Sequence, residues 1–305
     1  MTQYECRVAH PYRLDLTVSA LRRESTNIVD VLTSDRQYIR AVHTLRGPVI
    51  ARVAQLHPEV LTITLDGDAR EHRRTLALVR RMLGFDRDLA DFYHGAAQIT
   101  WLVPLAERMR GVKPPRYPTL WEACVNAIVF QQISLRAASA IMRRLIVALC
   151  PPVDSDGLSL YTFPDVETFL AARDDVLLAA GLSLGKRSTL RRVAEALQVR
   201  ELTEVMLEKR ASPDAAALLC GIKGIGPWTA TVILLRGLGR LDVFPMNDTS
   251  VTRNLALVSR SDRIDVDDLL QALSPQQGML YYHLLLARLE ARGDLGIPSQ
   301  SLAID

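Results

Sequence analysis

The residues best placed to do chemistry in this chain are a glycine-rich turn and a single aspartate that follows it. The turn is Gly221-Ile222-Lys223-Gly224-Ile225-Gly226, and we predict a helix on each side of it. Asp248 ends the segment Asp242-Val243-Phe244-Pro245-Met246-Asn247-Asp248, which comes shortly after the second helix. Such a turn can hold a phosphate through backbone N–H groups, and an acid beyond it can act on the attached sugar. The pair predicts chemistry on a nucleotide held out of DNA.

The turn needs glycine for two physical reasons. Gly224 and Gly226 allow positive φ and leave no Cβ between the backbone and a ligand. The first N–H groups of the following helix have no partner inside that helix, and the helix dipole adds positive charge there. The predicted DNA-binding hairpin comprises Gly221, Ile222, Gly224, Ile225 and Gly226, with Ile225 anchored in the core. The alternative is an ordinary helix–turn–helix with a glycine after the first helix.

Asp248 has two compatible interpretations. An acid directly before a helix is most often an N-cap, and we predict a helix that starts after Asp248. The helix dipole favours a negative charge at that place, so a cap and a catalytic carboxylate are compatible roles for one side chain.

The composition limits the classes of protein to which this chain can belong. It has 305 residues, of which 49% are hydrophobic, and a formal net charge of +3. This is enough apolar content for a core and too little charge to reveal a nucleic-acid partner by itself. No apolar run reaches membrane-spanning length, and the N-terminus lacks the pattern of a signal peptide. We therefore predict a cytoplasmic protein with no membrane partner.

Cysteine and histidine give no sign of a metal site. Cys6, Cys124, Cys150 and Cys220 lack the spacing of metal ligands, and the 6 histidines are scattered along the chain. We predict no metal and no other cofactor. A monovalent cation at the hairpin is compatible with the sequence.

Two regions must position these residues. Residues 1–88 are predicted to form an α+β domain, and residues 89–305 a mainly α-helical domain. In the first region, strands are predicted from the alternation of Leu14, Leu16 and Val18 and over 38–45, 49–53 and 61–65, followed by a helix over 69–83.

Capping signals mark several helices of the second region. Thr119 opens a capping box, Ser134 is a predicted N-cap, and Ser212 is a predicted N-cap followed by proline. Further helices are predicted over 164–172, 175–180, 186–197, 250–258, 267–273 and 279–291.

Several segments together resemble one family. The hairpin at 221–230, followed by 242–248, resembles the helix–hairpin–helix DNA glycosylase superfamily. Within it the chain resembles the alkyl-base branch, 3-methyladenine DNA glycosylase II, at Phe130-Gln131-Gln132-Ile133-Ser134, Phe163-Pro164, Gly181-Leu182-Ser183 and Lys186-Arg187. The strand-rich N-terminal region resembles that branch as well, so the resemblance spans nearly the whole chain.

The resemblance implies a reaction and a role for particular residues. Enzymes of this family flip a damaged nucleotide into a pocket between two helical subdomains, cut the N-glycosidic bond and leave an abasic site. Asp248 falls on the family's essential aspartate, whose carboxylate stabilises a cationic sugar or orients water. Gln131 and Gln132 fall on the loop that carries the wedge, with Gln132 at the inserted position. A solvated helix end is the alternative for both.

Trp228 distinguishes the branches of the superfamily. Branches that also nick the backbone carry a lysine at this position, which attacks the sugar to form a Schiff base. Tryptophan has no amine, so the chain resembles the monofunctional branch. The four-cysteine iron–sulfur spacing of some glycosylases is also absent.

The predicted base pocket comprises Trp228, Tyr281 and Tyr282, and a place in the core is the alternative for each. The alkyl-base branch often has a tryptophan and an arginine near the start of its last helix. This chain has Gln276-Gln277-Gly278-Met279-Leu280-Tyr281-Tyr282 there. Two alternatives follow: Tyr281 or Tyr282 supplies the π face for a cationic base, or the pocket prefers another lesion.

The resemblance thus implies a monofunctional glycosylase of base excision repair that removes alkylated purines such as 3-methyladenine. The implied partner is double-stranded DNA that contains damaged bases, and the protein is expected to be a monomer. Two alternatives stay open: a glycosylase for another damaged base, oxidised or deaminated, and a DNA-damage binding module without chemistry.

Overall fold

The computed structural model describes residues 1–246, 248–260 and 264–296. In that part of the chain an N-terminal antiparallel sheet precedes a helical region, which confirms the predicted fold class. No helix of these ranges is both long and apolar enough to cross a membrane. Asn247, in the segment that leads to Asp248, lies outside the described residues.

The N-terminal sheet is antiparallel throughout. Its strands are β1 (Thr2–Arg7), β2 (Val31–Leu32), β3 (Tyr38–Val42), β4 (Val49–His57) and β5 (Val60–Asp66). They are ordered β1-β5-β4-β3-β2, so β1 and β5, the first and last strands of this sheet in sequence, are paired. We did not predict β1 or β2, which are an edge strand and a two-residue strand.

Two helices complete the N-terminal region, α1 (Leu14–Arg22) and α2 (Ala69–Met82). The prediction of a strand at Leu14, Leu16 and Val18 is wrong, because this segment is helix α1. The helix is buried between two cores: Leu14 and Val18 pack with the sheet, whereas Leu16 packs with the C-terminal helices. Because both sides of α1 are covered, the polar residues Thr17 and Ser19 are buried too. The polar residues of this helix therefore do not mark an exposed face, and the sequence lacks the pattern of an amphipathic helix.

A second, two-stranded sheet lies inside the helical region. It consists of β6 (Pro152–Ser155) and β7 (Leu158–Tyr161), joined by Asp156-Gly157, both at positive φ. Leu160 packs against Val31, Ile39, Ala41 and Ile50 of the first sheet. We did not predict this hairpin, although an Asp-Gly pair between short apolar runs is a hairpin signal.

The remaining elements are helices. They are α3 (Ala90–Ala97), α4 (Val103–Arg108), α5 (Leu120–Val129), α6 (Leu135–Leu149), α7 (Val166–Ala171), α8 (Asp174–Ala179), α9 (Leu184–Gln198), α10 (Glu204–Glu208), α11 (Ser212–Cys220), α12 (Pro227–Gly237), α13 (Thr249–Ser259), α14 (Val266–Ala272) and α15 (Gly278–Ala291). They bury two apolar clusters. One is formed mainly by α5, α6, α9, α11 and α12, and the other by α1, α3, α4 and α13 to α15.

The predicted caps have mixed outcomes. Thr119 Oγ1 accepts a hydrogen bond from Glu122 N at 3.1 Å, and Ser134 Oγ accepts one from Ala137 N at 3.2 Å, so both caps are confirmed. Ser212 is wrong as a cap: it is the first residue of α11, and its hydroxyl accepts from Arg240 Nη1 at 2.9 Å. The hydroxyl oxygen therefore accepts from the arginine and not from an N–H group of the first helical turn.

Candidate active site

A cleft of about 860 Å³ lies where the two helical clusters meet. It is lined by the turn after α5, the start of α12, and faces of α13 and α15. On α15 the lining side chains are Tyr281, Leu284, Leu285 and Arg288, whose spacing of three and four residues defines one helix face. Asp248, Trp228, Gln131 and Gln132 line the same cleft.

Asp248 is held by three donors at the start of α13. Its Oδ1 accepts from Ser250 N at 2.7 Å and from Val251 N at 3.3 Å, so it is the N-cap that the sequence predicts. Its Oδ2 accepts from the indole N–H of Trp228 at 2.9 Å. Because donors bind both oxygens, the half-buried carboxylate has a fixed orientation at the wall of the cleft.

Trp228 therefore has a contact that its sequence position alone did not reveal. The ring packs partly against the first helical cluster and also lines the cleft. Its N–H donates to the carboxylate of Asp248 and so helps to orient it.

The hairpin joins α11 to α12, and only one of its two critical glycines has positive φ. Gly224 has φ 103°, and a Cβ added there would collide with the side chain of Thr189. Gly226 has φ −96°, so it does not use the positive φ that glycine allows. A Cβ on Gly226 would meet nothing within 4 Å, so its α-carbon faces open space.

The rest of the hairpin agrees with an anchored, exposed tip. Ile225 is buried in the first helical cluster, as predicted, and Ile222 packs partly against it. Gly221 follows the last residue of α11 and is exposed, as are Gly224 and Gly226. The tip thus presents backbone rather than side chains, and Pro227 at the start of α12 has no N–H to satisfy.

The two glutamines after α5 behave differently. Gln131 Nε2 donates to Gly224 O at 3.1 Å and to Thr229 Oγ1 at 2.7 Å, so its amide ties this turn to the hairpin. This differs from the predicted wedge, because the amide is already engaged. Gln132 has φ 56° and an exposed side chain at the lip of the cleft.

Lys186 also holds this turn, through backbone carbonyls. Its Nζ donates to Val129 O at 2.7 Å and to Gln131 O at 3.0 Å, which satisfies carbonyls at the end of α5. Burial lowers the pKa of this ammonium group. The turn, the hairpin and α9 therefore form one hydrogen-bonded unit.

Only one of the two predicted pocket tyrosines faces the cleft. Tyr281 lines it, with its ring 5.5 Å from and perpendicular to the ring of Tyr282. Tyr282 is fully buried, and its hydroxyl donates to Pro115 O at 3.0 Å, so its assignment to the base pocket is wrong. Adjacent helix residues point about 100° apart, so the two tyrosines cannot share one face.

Three arginines that were not predicted from the sequence line the cleft. Arg288 lies on α15, Arg253 on α13, and Arg23 directly follows α1 in the N-terminal region. Partial burial lowers the pKa of Arg288, and the charges of Arg292 and Arg253 lower it further. No sequence signal marks Arg23, because its position depends on how α1 packs against the helical region.

The described residues contain no cluster of three or more His, Cys, Asp or Glu side chains that could hold a metal ion. The hairpin offers carbonyl oxygens instead. Ile222 O accepts one hydrogen bond, from Ile225 N, and Gly224 O accepts one from Gln131. A carbonyl has two lone pairs, so such oxygens retain capacity for a monovalent cation.

Comparisons with known proteins agree with this arrangement. Residues 125–275 match the HhH-GPD superfamily of base excision DNA repair proteins. A DNA-3-methyladenine glycosylase of Bacillus subtilis is 26% identical over 190 residues, which are 62% of this chain and 63% of that protein. A probable bifunctional transcriptional activator/DNA repair enzyme AlkA of Mycobacterium tuberculosis is 32% identical over 218 residues, which are 70% of this chain and 42% of that protein.

The fold is shared along nearly the whole chain. A 3-methyladenine DNA-glycosylase from Archaeoglobus fulgidus superimposes with a TM-score of 0.81 and 22% identity, over 94% of this chain and 99% of that one. The alignments with the two sequence relatives span 63% and 42% of their lengths. Residues 125–275 of the chain belong to the HhH-GPD superfamily of base excision DNA repair proteins. The resemblance drawn from the hairpin and Asp248 is thereby confirmed.

Proposed function

We propose that this protein is a monofunctional DNA glycosylase of base excision repair that excises alkylated purines from double-stranded DNA. The observation that carries the proposal is the carboxylate of Asp248, fixed by three hydrogen bonds at the wall of a cleft large enough for a nucleotide. The names of the relatives point to the same class of reaction. A damage-binding module would not need an oriented acid.

The reaction proceeds by heterolysis of the bond between C1′ and the base nitrogen. The electron pair of that bond moves to the base, and positive charge develops on the sugar. The carboxylate of Asp248 stabilises this charge and orients a water, whose oxygen bonds to C1′. The proton of this water passes to the carboxylate and then to solvent, because a cationic alkylated base leaves as a neutral molecule. An abasic site and a free base are the products.

The absence of strand cleavage follows from the side chains around the sugar. A Schiff base needs an amine that attacks C1′, and Trp228 has none. None of the described residues that line the cleft is a lysine. Lys186 bonds to carbonyls at the end of α5 and is not among the lining residues.

The surrounding elements have roles in DNA binding. The exposed hairpin holds a phosphate through its N–H groups and the start of α12, and a monovalent cation at its carbonyls belongs to the same proposal. Gln132 enters the stack that the flipped nucleotide leaves, and Tyr281 and Trp228 contact the base. The protein acts as a monomer in the cytoplasm, with an N-terminal domain of residues 1–88 and a glycosylase domain of residues 89–305.

A panel of duplexes, each with one lesion, tests this function. The expected result is strand cleavage of alkylated duplexes only after hot alkali, which breaks abasic sites, and an intact strand without alkali. Borohydride added during the reaction is expected to trap no covalent complex. Binding without any abasic product would favour the damage-binding alternative, and a trapped adduct would contradict the monofunctional assignment.

A further inference from the structure

Arg23 is a buried cation from the N-terminal region that reaches the cleft. It directly follows α1, where its N–H donates to Ser19 O at 3.1 Å and its φ is 64°. Only 6% of its surface is exposed, yet the residue lines the cleft. Its guanidinium lies 4.7 Å from the ring centroid of Phe130, at the end of α5.

The guanidinium of Arg23 differs from two other buried guanidiniums in its partners. Its buried Nε has no hydrogen-bond partner, and no carboxylate pairs with it among the residues that the structure describes. Nε is also unpartnered in Arg40 and Arg236, but Arg40 pairs with Asp30 and Glu122 through its other nitrogens, and Arg236 donates to the backbone carbonyls of Ala20 and Leu21. A buried donor without a partner is costly, so its place at a cleft points to a ligand that accepts its hydrogen bonds.

Most charged side chains that line the described part of the cleft are positive, whereas a cationic base would be stabilised by negative ones. Among the described residues that line the cleft, Arg23, Arg253 and Arg288 stand against the single carboxylate of Asp248. Asp248 is bonded to Trp228, Ser250 and Val251 and so is not an ion-pair partner of Arg23. A base with a formal positive charge would enter a pocket that already holds an unpaired cation.

We propose, on the basis of the proposed function, that Arg23 is a specificity-determining residue that donates hydrogen bonds to the edge of the flipped base. The base it selects is a neutral purine lesion with an oxygen or nitrogen acceptor, such as hypoxanthine or 1,N6-ethenoadenine. Phe130 supports the guanidinium from one face, which leaves the planar fork free to reach the acceptor.

The chemistry of bond rupture gives Arg23 a second effect on neutral lesions. When a neutral base leaves, the electron pair of the C1′–N bond puts negative charge on it before it gains a proton. A guanidinium bonded to its edge stabilises that charge, while Asp248 stabilises the positive charge on the sugar. A cationic base such as 7-methylguanine leaves as a neutral molecule and gains nothing from this contact.

The test is single-turnover excision from three duplexes, with hypoxanthine, 1,N6-ethenoadenine or 7-methylguanine, by the full-length protein. Arg23→Gln is expected to slow excision of the two neutral lesions about 30-fold and of 7-methylguanine less than about 3-fold. Arg23→Lys, which keeps the charge but loses the fork, should give intermediate rates on the neutral lesions. Arg253→Gln is the matched control, because this exposed arginine lines the same cleft and should affect all three lesions equally.

The outcomes separate this inference from the proposed function. An equal loss on all three lesions with Arg23→Gln would overturn the selective role and make Arg23 structural or a phosphate ligand. If that variant fails to fold, the wild-type protein still decides the matter: its acceleration over spontaneous base loss must be greater for hypoxanthine than for 7-methylguanine. Efficient excision of 7-methylguanine alone would overturn the inference and leave the glycosylase assignment intact. No excision of any lesion would reject the glycosylase itself.

Discussion

At the scale of single residues, the site consists of one carboxylate and the groups that orient it. Asp248 has both oxygens engaged, by an indole N–H on one side and two backbone N–H groups on the other. An oriented carboxylate contributes more than a mobile one, because its reorganisation does not add to the barrier. Two substitutions separate its charge from its orientation.

Asp248→Asn is expected to reduce excision at least about 100-fold and to leave binding of lesion DNA nearly unchanged. The amide removes the charge that stabilises the sugar cation but keeps the size of the side chain. Single-turnover rates and a binding titration on the same duplex measure the two effects. Excision at the wild-type rate would mean that Asp248 is only an N-cap.

Trp228→Phe is expected to slow excision about tenfold, because it removes the N–H that fixes Asp248 and keeps an aromatic ring in the cleft. Trp121→Phe is the matched control: its indole N–H donates to Pro164 O at 2.9 Å in the core, away from the cleft lining. The control should lower stability without changing the excision rate. Equal rates for both variants would show that the Trp228 hydrogen bond has no part in catalysis.

At the scale of elements, the hairpin and the turn after α5 form one unit. Gln131 bonds to the hairpin, and Lys186 bonds to the carbonyls of Val129 and Gln131. These contacts fix the spacing between the hairpin and Gln132, which are the proposed sites of phosphate binding and of insertion into the base stack.

The two glycines of the hairpin should respond differently to alanine. Gly224→Ala is expected to destabilise the protein by roughly 1–3 kcal/mol, because of its positive φ and the collision with Thr189. Gly226→Ala has room in the free protein and should leave stability unchanged while it weakens binding to all duplexes alike. Denaturant unfolding and DNA titrations distinguish the two. Unchanged affinity in folded Gly226→Ala would mean that the hairpin does not contact DNA.

Gln132→Ala is expected to slow excision of a correctly paired lesion more than of the same lesion in a mismatch. The wedge compensates for unstacking, which costs roughly a few kcal/mol and less when the base is already mispaired. Gln98→Ala, at the exposed end of α3, serves as the control that should have no effect. Equal slowing on both pairings would assign Gln132 to the fold or the pocket.

At the scale of the whole molecule, a buried ionic group joins the N-terminal sheet to the helical region. Arg40 on β3 bonds to Asp30 at 2.7 Å and to Glu122 on α5 at 2.6 Å, and all three side chains are almost completely buried. Tyr38 also donates to Asp30, at 2.8 Å. Burial raises the pKa of Glu122 to about 7, and the charge of Arg40 opposes this rise.

Arg40→Met should therefore cost about 3–5 kcal/mol of folding free energy, because it leaves two carboxylates buried without a cation. The loss should increase as pH rises from 6 to 9. Without Arg40 the pKa of Glu122 in the folded state rises further above its value in the unfolded chain. The folded state then keeps a proton that the unfolded chain releases over a wider pH range, and stability falls through that range. Arg173→Met removes an exposed pair with Asp175 and should cost less than about 1 kcal/mol at any pH. A small, pH-independent loss for Arg40→Met would show that the buried group does not join the two regions.

The sequence by itself determined the features that depend on neighbouring residues. The caps at Thr119, Ser134 and Asp248 and the buried Ile225 follow from signals within a few positions, since capping and turn conformations are local. The same locality explains why the hairpin and the acid were sufficient to indicate the superfamily.

Only the tertiary structure decided which distant side chains meet. The bond of Trp228 to Asp248, the tie of Gln131 to the hairpin, and the choice of Tyr281 over Tyr282 depend on how separate helices pack. Helix α1 shows the same limit, because burial on two sides hides its helical period. Its packing also brings Arg23 to the cleft beside Phe130 and Asp248, which are both more than 100 residues from Arg23 in sequence. Such contacts depend on the register and rotation of whole elements, which are fixed by the cores they share rather than by nearby sequence.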